Sequence, residues 1–239
     1  MPYLEKNDCT HILWPYIGEK SFRCLQYINK LRKFLLAEKV DILHLRSRLP
    51  AWIGFLSWKS LAAHDRPSLI TTFHGFYSVN AYSRIMSKGE RVAAVSETIK
   101  DHILKNYKTN PEKISLIHGG FDESDFKPEA VSPDRIQRLR RKWLVGNDDK
   151  TVIVLPGRLS HWKGQDVFID SMALLKDHNV IALLIGDTEE NSSFTGKLRD
   201  RIRYHNLQDK VLLTGHCSDM PAALLLADLV VSASSTQPE

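Results

Sequence analysis

Apolar residues gather into eight short runs, at 40–45, 69–73, 91–95, 114–117, 151–155, 180–185, 210–214 and 229–232. Most are nearly continuous in apolar side chains rather than alternating, the pattern of strands covered on both faces, as in parallel sheets. The segments between them repeat at helical spacing. Residues 22–38 place Leu25, Ile28, Leu31, Leu35 and Leu36 on one face and Lys30, Arg32 and Lys33 on another. Further helices are predicted over 51–63, 96–107, 135–144, 166–176, 196–205 and 220–226. Ser96 suits an N-cap, and Ser218 or Asp219 suits one for a helix beginning near Pro221. Strand and helix in alternation predict an α/β architecture, doubly wound parallel sheets with helices on both faces.

The rhythm breaks once. Residues 121–145 hold Asp122, Glu123, Asp125, Pro128 and Pro133, then a basic helix with Arg135, Arg138, Arg140, Arg141 and Lys142. The break predicts a crossing between two domains, 1–130 and 131–239; a long surface insertion in one large sheet is the alternative. The first convincing strand begins only at residue 40, and the last run is followed within a few residues by Gln237-Pro238-Glu239. The expectation is therefore a first domain lacking its opening strand and glycine-rich turn, and a truncated second one.

Composition narrows the function classes. The chain is 43% hydrophobic and 26% charged, that of a globular protein, with a net charge of +5. A mild basic excess favours anionic partners such as nucleotides, phosphorylated sugars or anionic lipid without choosing among them. Cys9, Cys24 and Cys217 form no zinc or CxxC spacing, which favours a reducing compartment. No run approaches the ~18 apolar residues of a spanning helix, and residues 1–10 have no apolar signal core. The expected location is cytoplasmic, with possible peripheral contact between the basic faces of 22–38 or 135–142 and an anionic membrane. Aromatics do not interleave with a basic stripe as in an RNA-binding sheet, so no nucleic-acid partner is expected. No Gly-x-Ser-x-Gly elbow occurs in the sequence, and no aspartate pair brackets a single residue after an apolar strand, as a metal clamp on phosphates would.

In open α/β sheets ligands bind beyond the C-terminal strand ends. After 69–73 come His74 and Gly75, where an imidazole can donate to a sugar hydroxyl and glycine lets backbone approach a ligand; a strand-end histidine bonded to a neighbouring loop is the plainer reading. Ser96 and Glu97 follow 91–95, where a helix N-cap explains the serine as well. His118, Gly119 and Gly120 follow 114–117, and the glycines suit either unusual dihedrals or a plain tight turn. After 151–155 the chain reads Pro156-Gly157-Arg158-Leu159-Ser160-His161-Trp162-Lys163-Gly164. A guanidinium and an ammonium on one loop suit a diphosphate, although an exposed basic loop would read the same; the spacing is not that of a P-loop. Gly186-Asp187 and Gly215-His216 end the next two runs, as a nucleotide-base pocket would.

Taken in order, these turns resemble the retaining glycosyltransferases of family 4, which have the GT-B fold. The matching segments are Thr72-Phe73-His74-Gly75, Val95-Ser96-Glu97, Ile117-His118-Gly119-Gly120-Phe121-Asp122 with Phe126, Gly157-Arg158 with Lys163-Gly164, Ile185-Gly186-Asp187, Gly215-His216 and Gln237-Pro238-Glu239. The stretch Asp41 to Arg48 with Pro50-Ala51-Trp52 is similar to bacterial members that build lipopolysaccharide or other surface glycans. The resemblance implies two Rossmann-like domains facing a cleft, an acceptor-side domain first and a nucleotide-sugar domain second. It implies that Arg158 and Lys163 bind the donor diphosphate and that His74 faces the donor sugar. Gly157, Gly164, Gly186, Asp187, Gly215 and His216 would line the donor site. Glu239 would match the first glutamate of the family's paired-glutamate motif. Ser96, Glu97, His118, Gly119 and Gly120 become candidate cleft residues. The family usually has Asn where this chain has His118, and the second glutamate of the pair, expected on the ribose, is absent from the sequence.

The implied reaction is transfer of a sugar from a UDP- or GDP-sugar to a glycan or lipid-linked acceptor with retention, with no metal and no cofactor. A GT-B-fold sugar-nucleotide epimerase and an inactive nucleotide-sugar-binding remnant are the competing readings.

Overall fold

The computed structural model describes residues 9–19, 21–144, 149–189 and 192–234. The chain divides into two compact units, Met1–Gly120 and Phe121–Glu239.

In the first unit, Ser21 Oγ accepts the Arg23 amide and starts a 3-10 turn, Phe22–Leu25, which runs into helix α1, Gln26–Ala37. Strand β1, Ile42–Leu45, is followed by α2, Arg48–Lys59. The predicted start of α2 at residue 51 is too late, because Pro50 sits in the first turn, where its missing N–H has no helical partner to lose. Strands β2, Ser68–Phe73, and β3, Arg91–Ala94, precede α3, Glu97–Tyr107, and β4, Ile114–Leu116. The four strands are parallel in the order β1-β2-β3-β4. Their core holds Leu69, Phe73, Met86, Val92, Ala94 and Ile103. The 3-10 turn and α1 dock through Cys24 and Tyr27, respectively, onto Ile53 of α2, and Ser57 Oγ donates to the Ile28 carbonyl at 2.9 Å.

The second unit opens with a one-turn helix α4, Glu123–Phe126, then α5, Pro133–Trp143. Strand β5, Thr151–Pro156, leads to α6, Gln165–Leu174, β6, Val180–Ile185, and α7, Ser192–Tyr204. Strand β7, Val211–Gly215, α8, Met220–Leu226, and β8, Leu229–Val230, complete it. The unit begins ahead of the boundary expected at 130. The division falls between Gly120 and Phe121, and Arg135 Nη1 donates to the Ala130 carbonyl, which bonds the chain just ahead of the expected boundary to α5.

Its sheet is parallel in the order β7-β6-β5-β8. The continuous apolar strands are explained by burial on both faces. Ile153, Leu155, Ala182 and Leu184 face α6 and α7, while Val152, Val154, Ile181, Leu183 and Ile185 face α5 and α8. Sheet growth reverses between β5 and β8, which creates a topological switch point at their C-terminal ends.

Candidate functional site

Past the strands the ladder continues through glycine: Gly186 N–H donates to the Gly215 carbonyl at 3.1 Å, and Gly157 N–H to the Ile185 carbonyl at 2.8 Å. A Cβ on Gly186 would overlap the Gly157 carbonyl oxygen. Gly157, at φ +151°, and Gly215, at φ +76°, adopt backbone conformations that disfavour any side chain. The ends of β7, β6 and β5 thus form a shelf on which a ligand can lie against peptide groups.

The loop between β5 and α6 stands beside this shelf. Ser160 opens a 3-10 turn, His161–Lys163, that Gly164 closes at φ +69°. Gly164 then begins α6, and its carbonyl accepts the Phe168 amide. A Cβ on Gly164 would overlap the Ala233 carbonyl, so the loop packs on the segment after β8. Lys163 Nζ lies 4.5 Å from the Trp162 ring centroid and 3.5 Å from Ser234 Oγ, reaching from the β5 side of the switch point to the β8 side. Arg158 is exposed. Its carbonyl accepts Gln165 Nε2 at 3.0 Å, and Gln165 Oε1 accepts the Ser160 amide at 3.4 Å. Gln165 is fully buried and ties the Arg158–Ser160 segment, ahead of the turn, to the start of α6. Sequence reasoning missed it, because a glutamine beside Asp166 in the first turn of a helix carries no sign of its burial.

Asp187 Oδ1 accepts the Glu189 amide at 2.8 Å, a local turn that holds the carboxylate at the end of β6. His216 is exposed after β7. The second unit therefore brings Gly157, Arg158, Lys163, Gly164, Gly186, Asp187, Gly215 and His216 to one edge of one sheet. Such an edge suits a nucleotide whose diphosphate meets the cations and the α6 N-terminus. Glu239 lies outside the described residues.

The first unit has its own strand-end cluster. Arg46 Nε donates to His74 Nε2 at 3.3 Å, and His44 Nε2 lies 2.6 Å from Thr72 Oγ1. The Arg46 bond puts the His74 ring proton on Nδ1, the remaining nitrogen. Desolvation first, then the Arg46 charge and His44, holds the His74 pKa below its ordinary value; desolvation and Arg46 do the same for His44. Neither His44 nor Arg46 stood out as a site residue in the sequence, because each bond joins positions 28 apart. Ser96 Oγ accepts the Ile99 amide at 3.2 Å as the N-cap of α3, and Glu97 pairs with Lys100 at 3.5 Å. His118, Gly119 and Gly120 are exposed beyond β4. Neither glycine has a positive φ, so the unusual dihedrals allowed for them are not used, and each has open space at its Cβ position. Gly75 likewise has open space and no positive φ.

The basic face expected along 135–142 is partly consumed. Arg135 makes a bidentate pair with Asp219, at 2.9 and 2.6 Å, and Asp219 also caps α8 through the Ala222 amide. Among the described residues no helix is long and apolar enough to cross a membrane.

Comparison with known proteins locates the same two units. The sequence profile of Glycosyltransferase Family 4 matches residues 4–125, and that of Glycosyl transferases group 1 matches 136–239. Among curated proteins, mannosylfructose-phosphate synthase of Agrobacterium fabrum is 28% identical over 85% of this chain and 46% of its own length. The UDP-Gal:alpha-D-GlcNAc-diphosphoundecaprenol alpha-1,3-galactosyltransferase of Escherichia coli is 25% identical over 87% of this chain and 55% of its own. The chain thus spans about half the length of these relatives. A solved glycosyltransferase from Rickettsia africae ESF-5 superposes with a TM-score of 0.80 at 31% identity, covering 98% of this chain and 62% of that one.

Proposed function

The chain belongs to Glycosyltransferase Family 4, and from that premise we propose that it takes part in moving a sugar from a UDP- or GDP-sugar to a glycan or lipid-linked acceptor, with retention at the anomeric carbon. The observation that carries this reading is the placement of Arg158 and Lys163 on one loop beside a glycine shelf at the β5/β8 switch point. The second unit is the donor side and the first the acceptor side. The name of the Escherichia coli relative, with UDP-Gal as donor and a diphosphoundecaprenol-linked acceptor, supports this substrate class; the proposed role is in surface-glycan or lipopolysaccharide synthesis, on the cytoplasmic side of a membrane.

In the proposed reaction the bond between the anomeric carbon and the diphosphate oxygen breaks. A bond from the same carbon to the acceptor hydroxyl oxygen forms on the same face. The acceptor proton passes to the departing phosphate, and a nucleoside diphosphate leaves. Negative charge grows on that phosphate as the bond breaks, so Arg158 and Lys163 stabilise the transition state more than the ground state, with no metal required. His74, with its proton on Nδ1, serves as a neutral donor to a sugar hydroxyl.

Calorimetry with UDP, UDP-sugars and GDP-sugars tests the donor side, and product analysis tests the reaction. A new glycosidic bond is expected, with Arg158→Ala lowering turnover by about two orders of magnitude. A free epimerised sugar nucleotide would convert the reading to an epimerase. Nucleotide binding without any product would leave a binding protein.

A further inference from the structure

The inward face of α1 is accounted for: Cys24, Tyr27 and Leu35 are buried, and Ile28 and Phe34 are partly so. The opposite face is not, and Leu25 and Leu36, expected on the same face as Leu35, lie on it. Phe22 is 91% exposed, Leu25 48% and Leu36 38%. With Asn29 they recur at three-, four- and seven-residue steps, which places them in one stripe along the helix. Arg32 and Lys33 are exposed beside that stripe. Residues 21–37 carry Arg23, Lys30, Arg32 and Lys33 and no acidic residue; the acids Glu19 and Glu38 stand beyond the two ends. The preceding segment adds Leu13, 74% exposed, and Ile12, 47% exposed. It is held against α1 by Trp14, which stacks on Tyr27 at 5.4 Å between ring centroids. Lys30 Nζ lies over both rings, 5.2 and 5.6 Å from their centroids.

A phenylalanine almost wholly in water, at the head of a stripe of leucines, gains by leaving water. Cations alone beside it would equally suit any polyanion. Apolar anchors alone would equally suit a protein partner. The two together, on a helix lacking acidic side chains, match the interface of a bilayer, where acyl chains accept the apolar face and anionic headgroups the charges.

We propose that the outward face of the Phe22–Leu25 turn and α1, anchored by Phe22 and Leu25 in the turn and steered by Arg32 and Lys33 in the helix, docks the protein on an anionic phospholipid bilayer. The docking extends the expected peripheral contact to named side chains. It does not depend on the transferase reading, since none of these residues belongs to either strand-end cluster. A lipid-borne acceptor would nevertheless be met at the surface to which the first unit is bound.

Co-sedimentation with vesicles tests this, using phosphatidylcholine alone and phosphatidylcholine with phosphatidylglycerol, each at low and high salt. The protein is expected to pellet with the anionic vesicles and to be released by salt. Phe22→Ser is expected to weaken partitioning roughly tenfold. Arg32→Gln with Lys33→Gln is expected to weaken it by about an order of magnitude at low salt. Both variants change outward side chains, so circular dichroism and the UDP affinity should match the parent. Failure to pellet, or equal pelleting by the Phe22 variant, overturns the proposal. So does a concentration-dependent dimer, seen by sedimentation velocity without lipid, that Phe22→Ser abolishes, because the face would then be a protein interface. Loss of nucleotide binding with vesicle binding intact would sink the donor assignment alone.

Discussion

Gly164 is pressed against Ala233: at φ +69° it leaves no room for a Cβ, which would overlap the Ala233 carbonyl oxygen. The contact ties the start of α6 to the segment leaving β8 across the switch point. Gly164→Ala must accept a left-handed conformation and also displace one of these segments. We expect a loss of about 1–3 kcal/mol in stability, read as a lower denaturant midpoint, and a weaker UDP affinity. Gly215→Ala is the control. Its φ is +76° but its Cβ position is open, so only the conformational cost of about 1–2 kcal/mol is expected, without displacement of the Lys163 loop.

Gln165 gives a second test of how the loop is held. Its buried amide bonds the Arg158 carbonyl and the Ser160 amide. Gln165→Leu keeps the bulk and removes both bonds. Leaving those two backbone groups without it costs about 1–3 kcal/mol. The variant is expected to lose UDP affinity although Gln165 does not face the shelf. Parent-like affinity by calorimetry would show that the loop needs no such clamp.

Much of the fold was legible because burial on both faces writes itself into sequence as unbroken runs. Val152–Leu155 and Ile181–Ile185 read as strands for the same reason that they pack: odd and even positions both meet helices. Strand order was not legible. Nothing local to Leu229 or Val230 says that β8 lies beside β5 rather than beyond β7, and the switch point exists only through that order. Charge at the site was visible as Arg158 and Lys163, whereas the residues that orient it, Gln165 and Ser234, act through contacts that close only on folding. The glycines show both outcomes. Gly157 and Gly164 have the conformations that glycine allows, while Gly119 and Gly120 have ordinary ones. A residue type states what is permitted at a position, and packing decides whether the permission is used.

The Arg135–Asp219 pair predicts an acid-sensitive link between α5 and α8. The Arg135 hydrogen bond, followed by the Ala222 amide among favourable contacts, holds the Asp219 carboxyl below its ordinary 3.8. A carboxylate whose folded pKa is depressed contributes stability that is present above 3.8 and is lost as pH falls through the folded value. Asp219→Asn should flatten that part of the acid unfolding curve. Asp219→Ala should be worse than Arg135→Ala, because it also removes the cap of α8, worth about 1 kcal/mol. Thermal melts from pH 7 down to pH 3 would check the order.

His74 and Arg46 predict a dependence of the same sign at a higher pH. Burial, Arg46 and His44 all disfavour the imidazolium, so His74 is expected to titrate below 6.5 and to stay neutral near pH 7. Its folded pKa being depressed, the unfolded chain binds more protons as the solution is acidified through 6.5, so the contribution to stability is complete above that pH and is lost below it. His74 is exposed, which keeps that contribution small. The sharper readout is the ring itself. Nitrogen-15 NMR should find His74 protonated on Nδ1 at pH 8, with Nε2 accepting from Arg46. In Arg46→Gln, removing the charge is expected to raise the His74 midpoint, and the weaker donor to let the second tautomer appear. If both the midpoint and the tautomer are unmoved, Arg46 does not set the state of the imidazole, and the assignment of His74 as a neutral Nδ1–H donor loses its support.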